Sequence, residues 1–394
     1  MLKDQNILLG VTGSIAAYKS ADLARRLIDE GARVKVVMSD AACRFVTPYL
    51  FEAVTGNPVY TDVFKDPFSH LALSRDACLF IIAPATANTI NKLGCGIADN
   101  MLTNLWLSYT GPVLMAPAMN FRMYNHPVVK KNIKELQKAG VHFIGPDTGS
   151  LACGEEGEGR MAGVPEIVEA AAAALSKNDL KGHHIMVTAG PTVEPLDPVR
   201  YLSNRSSGRM GYAIARASLR RGARVTLISG PSSLDAPSAA TFIPVEKASE
   251  MEKAVFQHID RVTAVIMSAA VSDYSPVNVS QVKLKKIGSI TLKLKRNSDI
   301  LATIGRKKKK LYLIGFAAES GNNLKNAVSK LKEKNLDLIV LNDISRDGAG
   351  FNVDSNIVTL IDRKGDVRAY PKMSKIDVAD IILDRIPAMK EVKK

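Results

Sequence analysis

Apolar runs alternate with amphipathic stretches from the start of the chain. Ile7–Val11 is continuously apolar, Gly13 and Ser14 supply a turn and an N-cap, and residues 15–29 carry Ile15, Tyr18, Leu23 and Leu27 at helical spacing. Gly31 ends that helix and Val34–Met38 reads as a second strand. Strands that are apolar throughout predict a parallel sheet covered on both faces. The same grammar returns after residue 183: strand Ile185–Thr188, helix 209–221, Gly222, strand Val225–Ile228. The segment ARRLIDEGARVKVVMS at 24–39 rhymes with ARASLRRGARVTLISG at 215–230, as duplication or convergence on a common βαβ unit would both produce.

The pattern predicts an α/β protein of two Rossmann-like domains, each with a mainly parallel sheet, over residues 1–180 and 181–394. Further strands are expected at Leu79–Ala83, Pro112–Ala116 and Val141–Ile144, then at Ala264–Ser268, Leu311–Phe316, Leu338–Leu341 and Ile357–Ile361. In such sheets ligands bind beyond the carboxyl ends of the strands.

Composition narrows the class. Hydrophobic residues make up 46% of the 394 and charged residues 23%, a globular balance. No apolar run approaches the roughly 20 residues of a membrane helix, and the N-terminus lacks a signal-peptide pattern. A cytoplasmic protein without a membrane partner is expected. Cys43, Cys78, Cys95 and Cys153 form no CxxC pair, which argues against a disulfide framework or a zinc site. Residues 1–175 hold 16 of the 53 basic and 17 of the 39 acidic residues, leaving 37 and 22 for the rest. The first half is therefore near neutral and the second strongly basic, as a highly anionic partner would require.

Candidate chemistry collects at strand ends. Gly10–Ser14 places N–H groups and a hydroxyl at a helix start, a natural phosphate pocket. Asp40 stands where a ribose-binding acid would, but without an adenine-type fingerprint, which favours a mononucleotide. APATAN at 83–88 and APAMN at 116–120 put small residues where backbone meets ligand, and six glycines between 145 and 163 read as a mobile lid. In the second half, three prolines stiffen the loop from Ala189 to Gly211, and Asn204–Gly208 opens a helix among guanidinium groups. SAAVSD at 268–273 ends a strand, KLKK at 283–286 is expected as a strand or ribbon, and GFAAE at 315–319 ends another strand. Lys330 and Lys334 lie one helical turn apart, and the tetralysine 307–310 reads as a solvated surface run.

The first-half motifs GSIAAYK at 13–19, His70 in a Ser-His-Leu context, APATAN, PAMNFRMY at 117–124 and ACG at 152–154 resemble the flavin-dependent cysteine decarboxylases, specifically the phosphopantothenoylcysteine decarboxylases. The resemblance implies FMN held by Gly13, Ser14, Ser39, Pro84, Thr86, Asn88, Met115 and Ala116. It implies His70 as the acid–base residue, Asn120 as holder of the substrate carboxylate, and Cys153 as proton donor in the final reduction. Tyr124 stands where many relatives carry Trp, with a substrate-clamp role retained. Cys43, Cys78 and Cys95 are expected to be structural.

The second-half segments DPVRYLSNRSSGRMGYAIA, SAAVSD, KLKK, NSDI and GFAAE resemble phosphopantothenate–cysteine ligases of the CTP-using type. That resemblance implies Arg200 and Asn204 at an acyl-cytidylate and Lys283 assisting its formation. Ala269, Asp273, Lys283, Ser298, Asp299, Ile300, Leu301, Phe316, Lys330 and Lys334 are implied at CTP, with Mg2+ bridging the triphosphate. Ser298 replaces a proline frequent in relatives, which predicts a looser loop.

Together the halves imply consecutive steps: 4′-phosphopantothenate, cysteine and CTP give 4′-phosphopantothenoylcysteine, which the first half decarboxylates. A homo-oligomer is implied, with trimeric decarboxylase halves, dimeric ligase halves and a dodecamer as one closed shell. A flavin prenyltransferase-like or NAD-dependent first half is disfavoured by His70, PAMN and ACG. A nucleic-acid-binding role is disfavoured because few aromatics interleave the lysines.

Overall fold

The computed structural model describes residues 2–65, 68–150, 154–285, 291–308, 310–319, 324–343 and 353–386. Its contacts divide the chain into two compact units, Met1–Ser176 and Lys177–Lys394. Among the described residues no helix is long and apolar enough to cross a membrane.

The first unit carries a six-stranded parallel sheet in the order Val59–Tyr60, Arg33–Met38, Asn6–Val11, Leu79–Ala85, Val113–Pro117, His142–Phe143. Period-two alternation sends Ile7, Leu9 and Val11 into one apolar cluster with helices Lys19–Asp29 and Val164–Ala174. Leu8, Phe80 and Ile82 enter the opposite cluster with helices Ala87–Gly94, Met101–Ser108 and Pro127–Lys138. This two-sided burial is what the unbroken apolar strands require. The last strand is shorter than expected because the Val141 N–H instead closes the preceding helix on the Leu136 carbonyl. The order reverses between Asn6–Val11 and Leu79–Ala85, which opens a crevice at their carboxyl ends.

The glycine-rich stretch read as a mobile lid contains a two-stranded antiparallel pairing, Asp147–Ser150 with Glu156–Arg160. Its glycines serve close approach. A Cβ on Gly159 would lie 2.1 Å from the Met119 carbonyl oxygen, so the strand can lie flat on the Met119–Phe121 segment.

The second unit has an eight-stranded sheet. Six strands are parallel, in the order Thr241–Pro244, Arg224–Ser229, His184–Ala189, Ala264–Met267, Tyr312–Glu319, Leu338–Asp343. Val358–Asp362 and Val367–Ala369 extend it antiparallel. Arg221, with 3% of its side chain exposed, ties this unit's opening segment to its last helix, Lys375–Leu383. It donates to both oxygens of Asp179 at 2.8 and 2.6 Å, to the Asp380 carbonyl at 3.1 Å, and pairs with Asp384 at 2.9 Å.

Two expectations are corrected here. Lys283–Lys285 form no strand: the Leu284 N–H is taken by Asp197 Oδ2 and its carbonyl by Arg200 Nη2, so side chains replace a ladder; Lys286 lies outside the described residues. Nor are Lys307 and Lys308 of the tetralysine simply solvated; Lys309 lies outside the described residues. Lys308 is buried against Asp337, its Nζ 2.6 Å from the carboxylate, and Lys307 reaches over the Phe256 ring. Burial lowers the Lys308 pKa while Asp337 partly restores it.

Candidate active sites

In the first unit, loops after four parallel strands converge on a cavity of about 840 Å3. Three of them begin helices with a hydroxyl cap: Ser14 accepts from the Ala16 N–H, Ser39 from Ala42 and Thr86 from Thr89. Gly13 permits the approach of the first two loops, since a Cβ there would sit 2.4 Å from that of Ala41. Thr12, which the sequence reading passed over, fastens the third. It is buried, donates to the Pro84 carbonyl at 2.7 Å and accepts from the Thr86 N–H at 3.2 Å.

Of the residues expected at a flavin, Gly13, Ser14, Ser39, Thr86 and Asn88 line the cavity, as does Asp40. Met115 and Ala116 do not. They are fully buried in the central sheet, and Pro84 sits in the Leu79–Ala85 strand beneath the loop. Lys19, Lys92, Asn100, Thr103, Ser150 and Arg160 also line it and were not anticipated. Asn100 and Thr103 were legible in principle as a reciprocal capping box.

Asn120 lines the cavity and caps the short helix Phe121–Tyr124. Its Oδ1 accepts from the Arg122 N–H at 2.8 Å, which turns Nδ2 toward Glu155, 2.8 Å from Oε2. Tyr124 belongs to the core, with Lys130 over its ring at 3.6 Å, which leaves no exposed clamp at that position. His70 is half-buried in helix Ser69–Asp76, away from the cavity lining, and its Nδ1 is buried without a hydrogen-bond partner. Cys153 lies outside the described residues. Burial raises the Cys43 and Cys78 thiols above the usual range, which suits inert side chains.

In the second unit, candidate residues gather where strands His184–Ala189 and Ala264–Met267 end side by side. Asn204 Nδ2 donates to the Ala270 and Val271 carbonyls at 3.3 and 3.0 Å, while Ser203 Oγ donates to Thr192. The Thr192 hydroxyl in turn accepts from the Ser272 N–H. Gly190 has φ +73° and a Cβ there would meet the Gly230 carbonyl oxygen at 2.8 Å, so this strand end closes only without side chains.

Arg200 is brought beside Leu284, the chain neighbour of Lys283, through Asp197, a buried carboxylate absent from the expected set. It accepts from the Val199 and Arg200 N–H groups at 2.8 Å each and from Leu284 at 3.1 Å. Burial would raise its carboxyl, but these donors hold it below the usual range.

A separate group is centred on Asp299, which caps helix Ile300–Lys307 through the Ala302 N–H at 2.9 Å and pairs with Lys334 at 2.8 Å. Burial opposes ionisation of Asp299, yet Lys334 and the Ala302 N–H keep its carboxyl below the usual range. Ser298 and Asp273 are exposed, and Ala269, Leu301, Phe316 and Lys330 are half-buried. The Ile300 side chain is 3% exposed and belongs to the core, leaving its backbone alone to face a ligand. Another hollow of about 630 Å3, at the ends of strands Arg224–Ser229 and Thr241–Pro244, is lined by Asp235, Glu246 and Glu250, carboxylates unsuited to a triphosphate.

Family models match both units: residues 1–176 match "Flavoprotein" and residues 180–389 match "DNA/pantothenate metabolism flavoprotein C-terminal domain". A coenzyme A biosynthesis bifunctional protein CoaBC of Bacillus subtilis is 49% identical over 99% of this chain and 98% of its own length. The protein of that name from Escherichia coli K12 is 44% identical over 98% and 97%. The solved C-terminal domain of a coenzyme A biosynthesis bifunctional protein CoaBC is 44% identical, with a TM-score of 0.46, over 53% of this chain and 96% of that one.

Proposed function

This chain belongs to the family of bifunctional coenzyme A biosynthesis proteins, and we propose that its two units carry out consecutive ligation and decarboxylation. The second unit joins 4′-phosphopantothenate to cysteine at the expense of CTP. The first converts 4′-phosphopantothenoylcysteine to 4′-phosphopantetheine and CO2. The observation that carries the first assignment is the cavity with three capped helix starts and Asn120 at its wall.

The cavity's volume falls in the roughly 300–1,000 Å3 range of ligand pockets, and its hydroxyls and N–H groups suit the phosphate and ring edges of FMN. Gly13, Ser14, Ser39, Thr86 and Asn88 would hold it, with Pro84, Met115 and Ala116 supporting from beneath. When bound, FMN would supply reversible two-electron oxidation of the thiol-bearing carbon, creating a sink for the electron pair left behind when the carboxylate on the neighbouring carbon departs as CO2. Asn120 donates Nδ2–H to that carboxylate and orients the bond to be broken. His70 moves a proton as the acid–base residue, and Cys153 donates one in the final reduction. Tyr18 and Phe45 line the cavity yet are 63% and 55% exposed. Their exposure supports a homo-oligomer in which another copy's His70 completes the site.

In the second unit the substrate carboxylate displaces pyrophosphate from CTP to give an acyl-cytidylate, which the cysteine amine opens with release of CMP. Arg200, Asn204 and Lys283 meet the developing negative charge. Ala269, Asp273, Ser298, Asp299, Leu301, Phe316, Lys330 and Lys334 hold the nucleotide, together with the Ile300 backbone. Among the described residues no group of three or more His, Cys, Asp or Glu could hold a metal. Mg2+ is accordingly assigned to the triphosphate oxygens and water, its usual partners.

The purified full-length protein should be yellow, consume CTP when phosphopantothenate and cysteine are both present, and release CO2 from phosphopantothenoylcysteine. A colourless protein inert in both assays would overturn the assignment.

A further inference from the structure

We propose that Asn120 and Arg122 form a two-donor carboxylate clamp, and that Glu155 occupies it as an internal stand-in until the substrate carboxylate displaces it. The proposal rests on the decarboxylase reading and adds two residues to it. Asn120 Nδ2 donates to Glu155 Oε2 at 2.8 Å, and Arg122 Nη2 donates to Oε1 at 2.7 Å. Each carboxylate oxygen therefore has its own donor, one neutral and one cationic. That pairing is how a protein grips a carboxylate with a defined orientation.

The clamp is built before any ligand arrives. The Arg122 N–H bonds Asn120 Oδ1, which fixes the amide with Nδ2 outward. The Met119 N–H bonds the Gly159 carbonyl at 3.0 Å, which anchors the segment to strand Glu156–Arg160, directly after Glu155. Of the three residues Asn120 lines the cavity, so the clamp meets the space where substrate would lie at that side chain.

The occupant is readily exchanged. The Glu155 side chain is 36% exposed and that of Arg122 74%, and ion pairs so open to water are weakly held. A substrate carboxylate reaching the same donors would be repelled by Glu155 at contact distance, so one must leave. Loss of CO2 removes the competitor. Glu155 then reclaims both donors, and the neutral end of the product has nothing to displace it with. The stand-in thus makes the site selective for the carboxylate form and favours product departure.

The test uses the flavin-loaded full chain and equilibrium calorimetry with two ligands. One is the serine analogue of the substrate, which keeps the carboxylate and lacks the thiol; the other is the decarboxylated product. Glu155→Gln and Glu155→Ala should each tighten the serine analogue by about three- to tenfold and leave product affinity unchanged. Arg122→Met should weaken the analogue by a similar factor, again without effect on product. Flavin absorbance and the thermal transition of Trp106 report whether each variant is folded. Unchanged or weakened analogue binding in both Glu155 variants, or equal shifts for the two ligands, overturns the proposal. If the wild-type protein neither binds the analogue nor releases CO2, the decarboxylase reading falls with it.

Discussion

Each unit has a mainly parallel sheet with a candidate site at its carboxyl edge, yet the two prepare that edge differently. In the first, the helix-start hydroxyls accept from their own backbones, and small residues such as Gly13, Ala16 and Ala87 share the cavity wall with Lys19, Lys92 and Arg160. In the second, charged side chains hold one another: Lys334 on Asp299, Arg200 on the Leu284 carbonyl beside Asp197. The contrast matches the ligands proposed. A resident cofactor is met by a surface whose caps are already formed before it binds. A triphosphate that arrives and leaves each turnover needs cations that can change partners, and the surplus of positive charge in the second half draws it in.

The sharpest way to break this comparison is Asn204→Ala. Removing the donor that ties the loops after two strands should lower ligase turnover by about 100- to 1,000-fold, with CO2 release from phosphopantothenoylcysteine unaffected. Coupled assays of both reactions on one preparation check it, and a parallel fall in both would end the case for separate sites.

Next in size is Arg221→Met, which leaves Asp179 and Asp384 without their buried partner and should destabilise the second unit by about 3 kcal/mol. The chain's single tryptophan, Trp106, is in the first unit. Far-UV dichroism should therefore show an earlier transition while Trp106 fluorescence does not move. The same variant tests acid sensitivity. The Arg221 hydrogen bond holds Asp179 below its ordinary value of 3.8, so its contribution is present above that pH and is lost as pH falls through the folded value. Acid unfolding of the second unit should become shallower in Arg221→Met. The depressed carboxyls of the first unit, Asp99 and Glu135, pair with lysines at side-chain exposures of 47% and 49%, and should matter less.

The smallest effect is expected from Ser298→Pro. The loop was predicted to be loose without a proline, but Asn297 pins it: its N–H bonds the Asp273 carbonyl, its Nδ2 the Ser272 carbonyl and its Oδ1 the Ser275 hydroxyl. Restoring the proline should add about 0.4–1 kcal/mol by restricting the unfolded chain and shift the KM for CTP by less than about threefold. A larger gain in CTP affinity would mean that the loop is indeed held too weakly.

Local pattern determined much of this protein. Apolar runs, glycine stops and turn residues are short-range signals, so the central strands of both sheets, helices Lys19–Asp29 and Arg209–Arg220 and the loops bearing Gly13, Thr86 and Asn204 were legible residue by residue. Partnerships across long sequence separations were not. Asp197 reads as one acid in a proline-rich loop until Leu284 arrives 87 positions later, and Lys308 reads as solvated until Asp337 buries it. Thr12 becomes a fastener only beside Pro84, and Glu155 becomes a stand-in only where the hairpin folds onto Asn120. Chain order specifies which groups exist and which local geometry they prefer. Packing decides which of them lose water together, and the lost hydration is what turns a nearby charge or hydroxyl into an obligatory partner.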